Sequence, residues 1–143
     1  MTRGNVITYV QVALGGATGS VLRFWLGSVV GHKAGRVLGN LLFGFGWKSD
    51  DAPWLGTLFV NVTGCFLIGL LGNLRENGPG EFDRYFLMVG VMGGYTTFST
   101  FSLQTLELFH AGNTGLAVLN VALSMALCRL GVWLGATAGR SLS

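Results

Sequence analysis

The segment from residue 90 to residue 102 combines glycine, hydroxyl and phenylalanine residues within an otherwise apolar stretch. Its sequence is Gly-Val-Met-Gly-Gly-Tyr-Thr-Thr-Phe-Ser-Thr-Phe-Ser. In hydrocarbon, such hydroxyls and a glycine break cost free energy unless they line a cavity or bind a partner. Phe98 and Phe101 are three residues apart, so they share one helix face. Because the edge of a phenyl ring is positive, this pair could contact an anion without a full charge.

Further polar residues lie within the other apolar stretches of the chain. Asn61 follows Thr57 by one helical turn, and Ser124 lies near the middle of the last stretch. Arg23 lies in the first stretch, whereas Glu107 falls at the end of the third and no stretch has an Asp or Glu at its centre. Each intramembrane polar group must find a partner or a water-filled cavity. Amide, hydroxyl and guanidinium groups donate hydrogen bonds, so the set favours an anion over the cation of a proton-coupled exporter.

The sequence offers no candidate catalytic or metal-binding cluster. Cys65 and Cys128 lack metal or redox spacing, and we interpret them as small buried residues. His32 has no Cys, Asp or Glu at ligand spacing, and His110 has only Glu107, three residues before it, which is too few ligands for a metal site. A nucleotide-binding loop and a Ser-His-Asp order are also absent from the sequence. We therefore expect neither an enzyme nor a nucleic-acid-binding protein.

The composition is that of a membrane protein. Half of the 143 residues are apolar, only 10% are charged, and the mean hydropathy is +0.57. Four stretches approach or exceed the roughly 18 to 20 residues that cross a bilayer core. They cover about residues 5–30, 53–74, 84–109 and 114–138. We predict an all-α membrane protein in which residues 1–143 form a single domain of four transmembrane helices, the third broken mid-membrane.

A soluble helical bundle is disfavoured by the distribution of charge. Residues 52–74 and 85–106 contain no Asp, Glu, Lys or Arg, whereas a surface helix needs a charged face. Between the first two stretches, residues 31–52 are rich in glycine, and their apolar run is too short to span a bilayer. We predict an interfacial loop or a short helix at the headgroups, with Trp47 and Trp54 as anchors.

The charges of the loops favour neither orientation in the membrane. Four spans place both termini on one side, and the Lys and Arg residues near the spans normally decide which side that is. The terminal side holds Arg3, Arg75, Arg84 and Arg140, and the opposite side holds Lys33, Arg36 and Lys48. Because this balance lets the chain insert both ways, we expect an antiparallel, dual-topology homodimer. Gly15 and Gly19, four residues apart, allow close helix packing within a chain or between chains.

Three motifs follow one another along the chain. They are Gly15-x-x-x-Gly19-Ser20-x-x-Arg23, Gly56-Thr57-Leu58-x-x-Asn61-x-x-Gly64 and Gly93-Gly94-Tyr95-Thr96-Thr97-Phe98-Ser99-Thr100-Phe101-Ser102. In order and spacing they resemble the Fluc (CrcB) family of fluoride channels, over nearly the whole chain. The resemblance implies a fluoride-selective channel that passively exports fluoride and relieves its toxicity. It also implies an antiparallel homodimer in the lipid of the inner (plasma) membrane, two pores at its interface and a structural Na⁺ at its centre.

The resemblance further implies roles for the polar and aromatic residues of the proposed fluoride pore. Phe98 and Phe101 are similar to the aromatic box whose ring edges face fluoride. Asn61 is similar to the pore asparagine that donates its amide to the ion. Thr57 and Ser124 are similar to hydroxyl residues that line the polar pathway.

Other positions correspond to the family's vestibule and cation site. Arg23 is similar to the arginine near the vestibule. Gly93 and Thr96 resemble the residues whose freed backbone carbonyls bind Na⁺. At Gln104 this chain has an amide where the family usually carries a glutamate, and Arg129 is an unusual charge for the fourth helix.

Two other functions suit a small four-helix membrane protein. A small, dual-topology multidrug-type exporter shares the size, the helix count and the dual insertion, but it requires a buried carboxylate. A non-transporting membrane scaffold would tolerate replacement of Asn61 and of both phenylalanines without loss of function.

Overall fold

The computed structural model describes residues 6–43, 52–74, 80 and 82–142. The secondary structure of these residues is entirely helical, with no strand among them. In chain order the elements are α1 (Val6–Phe43), α2 (Pro53–Leu71), the π-helix π1 (Asp83–Met92), the single turn α3 (Gly93–Tyr95), α4 (Phe98–His110) and α5 (Thr114–Ser141). The predicted all-α class is confirmed for the described part of the chain.

Three helical stretches are long and apolar enough to cross a membrane. They are Pro53–Leu71, Arg84–His110 and Thr114–Ser141. At about 1.5 Å per residue, even the shortest extends about 28 Å, which matches a bilayer core. Large apolar side chains such as Phe59 and Val118 are exposed, whereas Asn120 is almost fully buried. This distribution reverses that of a soluble protein and is the one expected in lipid.

Helix α1 is longer than the sequence predicts. It runs for 38 residues to Phe43, through much of the segment expected to be a loop or short helix, whose residues 44–51 lie outside the described part. A glycine costs a helix only about 1 kcal/mol, and a helix already nucleated gains a hydrogen bond with each added residue. Because no proline interrupts it, the helix continues. Since α1 is not among the three apolar stretches, a fourth span stays a prediction.

The segment that follows α1 also differs from the expected interfacial anchor. Trp54 is only 6% exposed and packs in a buried cluster with Ala52 and Leu58. The Ala52 N–H donates to the carbonyl of Gly31, which ties the start of α2 to α1. Trp54 is thus a core residue of the chain. Trp47, Arg3, Lys48 and Arg75 lie outside the described residues.

Glycines bring α1 into backbone contact with π1 and α3. Gly15 faces the carbonyl of Phe86, and Gly19 faces the carbonyl of Val91. From the other side, Gly94 faces the backbone of α1. A side chain at these glycines would overlap main-chain atoms, which cannot rotate away. The first and third motifs of the sequence therefore meet in space through their glycines.

Glycines also set the separation of α2 and α5. Gly135 of α5 faces the carbonyl of Phe66, and Gly69 of α2 faces the carbonyl of Val132. This reciprocal contact lets the two backbones approach closely, as small residues do in membrane helices. Helix α2 contacts every other element, so it forms the centre of the chain.

The backbone leaves the helical conformation at Thr96 and Thr97. Thr96 has φ −83° and ψ 152°, and Thr97 has φ −149° and ψ 116°. Gly93, where the sequence places the start of the break, is helical with φ −63° and ψ −38°. The extended conformation therefore falls on two β-branched residues, which favour it. Gly94 provides close packing against α1, whereas the threonines provide the interruption.

Replacement of Gly19 by alanine is expected to destabilise the protein. A Cβ at position 19 would overlap the Val91 carbonyl and lie 2.8 Å from the backbone nitrogen of Tyr95. Unfolding in mixed detergent micelles should show a loss of about 1 to 3 kcal/mol for Gly19→Ala, the usual cost of overpacking. The matched control is Gly16→Ala, whose Cβ would meet no atom within 4 Å. Equal losses for the two variants would contradict the close packing of α1 against π1 and α3.

Candidate functional site

The side chain of Asn61 is bound to the backbone of Thr97 by two hydrogen bonds. Asn61 Nδ2 donates to the Thr97 carbonyl at 3.0 Å, and the Thr97 N–H donates to Asn61 Oδ1 at 2.8 Å. Both residues are buried, with 8% and 7% exposed. Because the backbone N–H can only donate, it fixes which end of the amide faces it. We call this pair of bonds the amide clamp. It satisfies the polar groups of an interrupted helix inside the protein.

The clamp leaves two backbone carbonyls without their usual helical partners. In a continuous helix the Thr97 N–H would donate to the Gly93 carbonyl, and the Thr100 N–H to the Thr96 carbonyl. Here the Thr97 N–H donates to Asn61, and the Thr100 N–H donates to Thr97 Oγ1 at 3.2 Å. Thr97 is thereby the N-cap of α4. The carbonyls of Gly93 and Thr96 are therefore available to another partner.

Thr96 is held against α2 by a further set of contacts. The hydroxyls of Thr63 and Tyr95 lie 2.9 Å apart and bridge α2 to α3. Gly64, the last residue of the second motif, faces the methyl group of Thr96. A side chain at position 64 would occupy the space of that methyl group. The glycine thus allows the break to lie directly against α2.

Phe98 and Phe101 begin the helix that follows the break. Their ring centroids are 5.4 Å apart, and the ring planes are inclined by 48°. Phe101 is 7% exposed, whereas Phe98 is 72% exposed. One ring therefore belongs to the core of the chain, and the other projects from its surface. Phe98 is free to face a second surface.

Two cavities meet at Thr97, which lines both. The first, the arginine cavity, has a volume of about 860 Å³ and is lined by Arg23, Thr57, Thr100 and Gln104. The second, the aromatic cavity, has a volume of about 450 Å³ and is lined by Asn61, Gly93, Thr96, Phe98, Phe101 and Ser124. The structure thus divides the residues singled out in the sequence into two groups, on either side of the amide clamp.

A chain of hydrogen bonds supports the aromatic cavity from α5. Ser124 Oγ donates to Asn120 Oδ1 at 3.5 Å, and Asn120 Nδ2 donates to Thr105 Oγ1 at 2.9 Å. Thr105 Oγ1 donates to the Phe101 carbonyl at 2.7 Å. Asn120 is only 1% exposed. Sequence reasoning did not select Asn120 or Thr105, although the spacing of Asn120 and Ser124 by one helical turn was a signal.

The first bond of this chain is the weakest. A separation of 3.5 Å is at the limit of a hydrogen bond, so the Ser124 hydroxyl can turn toward a guest at low cost. Asn61 has a second amide N–H beyond the one that the clamp uses. The aromatic cavity therefore offers donors and ring edges, the groups that suit a small anion.

Gln104 gives the arginine cavity a different character. Its Oε1 is buried and has no hydrogen-bond partner within the described ranges. Arg23 lines the same cavity and contributes a positive charge. An amide at position 104 keeps that charge from being neutralised by a neighbouring carboxylate. This cavity is consequently attractive to anions.

Comparison with known proteins gives a consistent set of relatives. The family described as "CrcB-like protein, Camphor Resistance (CrcB)" matches residues 10–136. The chain is 44% identical over 134 residues to the fluoride-specific ion channel FluC of Rhodospirillum rubrum, covering 90% of this chain and 92% of that protein. It is 43% identical over 139 residues to the protein of the same name from Opitutus terrae, covering 94% of each. For the one from Paramagnetospirillum magneticum the identity is 44% over 135 residues, with 91% and 93% covered.

Removal of the amide clamp is expected to destabilise the protein strongly. Asn61→Ala leaves the buried N–H and carbonyl of Thr97 without partners, at a cost of about 1 to 3 kcal/mol for each group. Ser124→Ala is the control, because it removes one bond at the distance limit and should cost under about 1 kcal/mol. Unfolding of both variants in mixed detergent micelles measures the difference. A similar loss in the two variants would show that the clamp does not hold the break.

Proposed function

Because the chain belongs to the CrcB family, we propose that it is a fluoride-selective channel that passively exports fluoride and so relieves its toxicity. The relation that carries this proposal is the identity to proteins named fluoride-specific ion channels, 44% over 90% of the chain in one case. The chemistry of the aromatic cavity supports it. Donors line this cavity together with two phenyl rings.

Fluoride is small and strongly hydrated, so a channel must replace its water with donors at close range. We assign this role to the second amide N–H of Asn61 and to the hydroxyl of Ser124. The ring edges of Phe98 and Phe101 add a weaker positive field that does not trap the ion. Chloride is larger and a poorer acceptor, so it gains less from the same donors.

The proposed route joins the two cavities at Thr97. Arg23 in the arginine cavity raises the local concentration of anions, and Thr57 lies one turn from Asn61 along α2. An ion that leaves this cavity meets Thr97 and then the aromatic cavity. The amide clamp holds the boundary in place. Asn61 in this proposal both supports the break and donates to the ion.

Glu107, the acidic residue of α4, does not support the alternative of a proton-coupled exporter. Glu107 is exposed in the last turn of that helix and lines neither cavity. A proton-coupled exporter needs its carboxylate where the substrate binds. Membership of the CrcB family likewise disfavours a scaffold without transport.

Purified protein in liposomes should release fluoride rapidly, with much slower chloride release and no requirement for a proton gradient. Phe98→Ile is expected to lower fluoride flux by about tenfold or more, since an aliphatic side chain has no positive ring edge. Phe109→Ile is the matched control, because Phe109 is also exposed, at 57%, but lies at the far end of α4. Ion-selective electrodes measure both fluxes.

Absence of fluoride flux, or equal chloride flux, would overturn the proposed function. Undiminished flux in Phe98→Ile would remove Phe98 from the pore while leaving the channel itself intact. An equal decrease in Phe109→Ile would attribute the effect to general perturbation of α4.

We further propose that two copies pair antiparallel in the inner membrane. Phe98 is 72% exposed in the single chain although it follows the specific third motif, and a partner copy would cover it. Gly93 is exposed too, and a side chain built there meets no atom within 4 Å. Two copies in opposite orientations would bring their breaks together and give two pores.

The carbonyls at the break fit a Na⁺ ion at the centre of this dimer. Gly93 and Thr96 present oxygen ligands that lack their helical partners, and hard cations prefer oxygen. Na⁺ would supply the positive charge that these carbonyl dipoles require in the membrane. Two oxygens from each copy would share it.

A cysteine introduced at position 93 of one chain should crosslink to the same cysteine of the partner chain. The variant Gly93→Cys, made together with Cys65→Ser and Cys128→Ser, is expected to form a covalent dimer on mild oxidation. Gly115→Cys in the same background is the control, since Gly115 is exposed at the start of α5. Replacement of Na⁺ by a large organic cation should lower the yield severalfold, because the carbonyls then repel. The yield is read by denaturing gel electrophoresis.

Equal yields from positions 93 and 115 would contradict the central break, and a yield independent of Na⁺ would contradict the cation site. The antiparallel arrangement is tested separately by a reporter at the C-terminus. Its accessibility from one side of the membrane alone would exclude dual topology.

A further inference from the structure

Two cysteines from different helices lie in the wall of the aromatic cavity. Cys65 belongs to α2 and Cys128 to α5, and both are free thiols of intermediate exposure. Cys65 packs against the turn of α5 that follows Cys128, where its Cβ faces Gly131. Both line the aromatic cavity. The sequence suggested two separate buried residues without a role, but the structure brings them together at a cavity surface.

The position of this pair is set by rigid backbone packing. The Cβ of Cys65 lies 3.6 Å from the place that a Cβ at Gly131 would occupy, and Gly131 follows Cys128 by one helical turn. One turn further, Gly135 is in contact with the carbonyl of Phe66. The helices that carry the thiols cannot easily separate. The two thiols are consequently held on neighbouring turns of two closely packed helices.

We propose that Cys65 and Cys128 form a binding site for a soft divalent cation that takes two thiolate ligands, of the class of Hg²⁺. Thiolates select soft metal ions. A structural Zn²⁺ site needs four ligands, and the described residues contain no group of three or more His, Cys, Asp or Glu that could hold a metal. Two sulfurs alone satisfy an ion that prefers linear, two-coordinate binding.

Charge balance favours a divalent ion over a monovalent one. Binding breaks two S–H bonds and forms two S–Hg bonds, and the two protons pass to water in the cavity. No atom is oxidised or reduced. The product, a divalent cation with two thiolates, is neutral. A monovalent ion would leave one negative charge in an apolar wall, which is costly.

Occupation of this site would also narrow the aromatic cavity. Cys128 follows Ser124 by one turn of α5, and Ser124 and Phe101 line the same cavity of about 450 Å³. The bound ion would therefore lie beside the groups to which we assign fluoride contact. This consequence rests on the proposed function, whereas the site itself does not.

The site is tested by adding HgCl₂ to the full-length protein in detergent, followed by native mass spectrometry. One Hg²⁺ per chain is expected, and it should resist removal by glutathione at concentrations about tenfold or more above those that strip Cys65→Ser or Cys128→Ser, because the second thiolate binds intramolecularly. Both thiols of the wild type should become unreactive toward N-ethylmaleimide. Equal removal from the wild type and the single variants would overturn the site.

Fluoride flux supplies the second measurement. In liposomes, Hg²⁺ should slow fluoride release through the wild type by about tenfold, reversibly on addition of a dithiol, because it narrows the path. The double variant Cys65→Ser, Cys128→Ser is compared with its own flux without Hg²⁺ and should not change. An unchanged wild-type flux with bound Hg²⁺ would overturn the narrowing. If the protein released no fluoride at all, the mass measurement would still decide the thiol site.

Discussion

The two hydrogen bonds between Asn61 and the backbone of Thr97 are the constraint on which the site depends. An interruption of a membrane helix exposes backbone groups that lipid cannot satisfy. A single primary amide can satisfy both groups of one residue, because its NH₂ donates to the carbonyl and its oxygen accepts from the N–H. Because Asn61 belongs to the central helix α2, the break is anchored to the element that contacts all the others. The direction in which α4 leaves the break, and with it the place of Phe98 and Phe101, follows from this anchor.

The clamp can form only because the helices around it approach closely. Gly64 accepts the methyl group of Thr96 against α2, and Gly19 brings α1 against the backbone that precedes the break. Glycine is unfavourable in a helix by about 1 kcal/mol, so its repeated use must be offset by packing. Here it is offset by contacts with main-chain atoms. Larger side chains would hold the helices apart and leave the amide of Asn61 too far from Thr97 to form the two hydrogen bonds.

Much of this arrangement can be predicted from the sequence, because apolar stretches indicate contact with lipid and the hydroxyl residues within them indicate a polar site. The apolar stretches correspond to α2, to the interrupted stretch Arg84–His110 and to α5. The extent of α1 was not predictable from its glycines, since cooperative hydrogen bonding carried the helix through them. The break was expected over residues 93–96, whereas the extended residues are Thr96 and Thr97. Local glycine content does not show where a side chain from another helix will form hydrogen bonds with the backbone.

The shared position of Cys65 and Cys128 in one cavity wall and the bond of Asn120 to Thr105 could not be predicted for the same reason. Both join residues from different helices, and their formation depends on the register between those helices. Spacing within one helix, such as that of Asn120 and Ser124, can be read directly. Register across helices depends on which glycines meet which carbonyls. One sequence without its structure does not specify that choice.

The break also presents groups of opposite polarity. Where α3 ends, the carbonyls of Gly93 and Thr96 point a partial negative charge at whatever satisfies them. Where α4 begins, backbone N–H groups carry the partial positive charge of a helix N-terminus, and Phe98 and Phe101 lie in that first turn. The amide clamp adds to the positive polarity near α4. The Thr97 N–H occupies the acceptor oxygen of Asn61, whereas one N–H of the Asn61 amide stays available to donate. The proposed cation and the proposed anion are thus both consequences of interrupting one helix at two threonines.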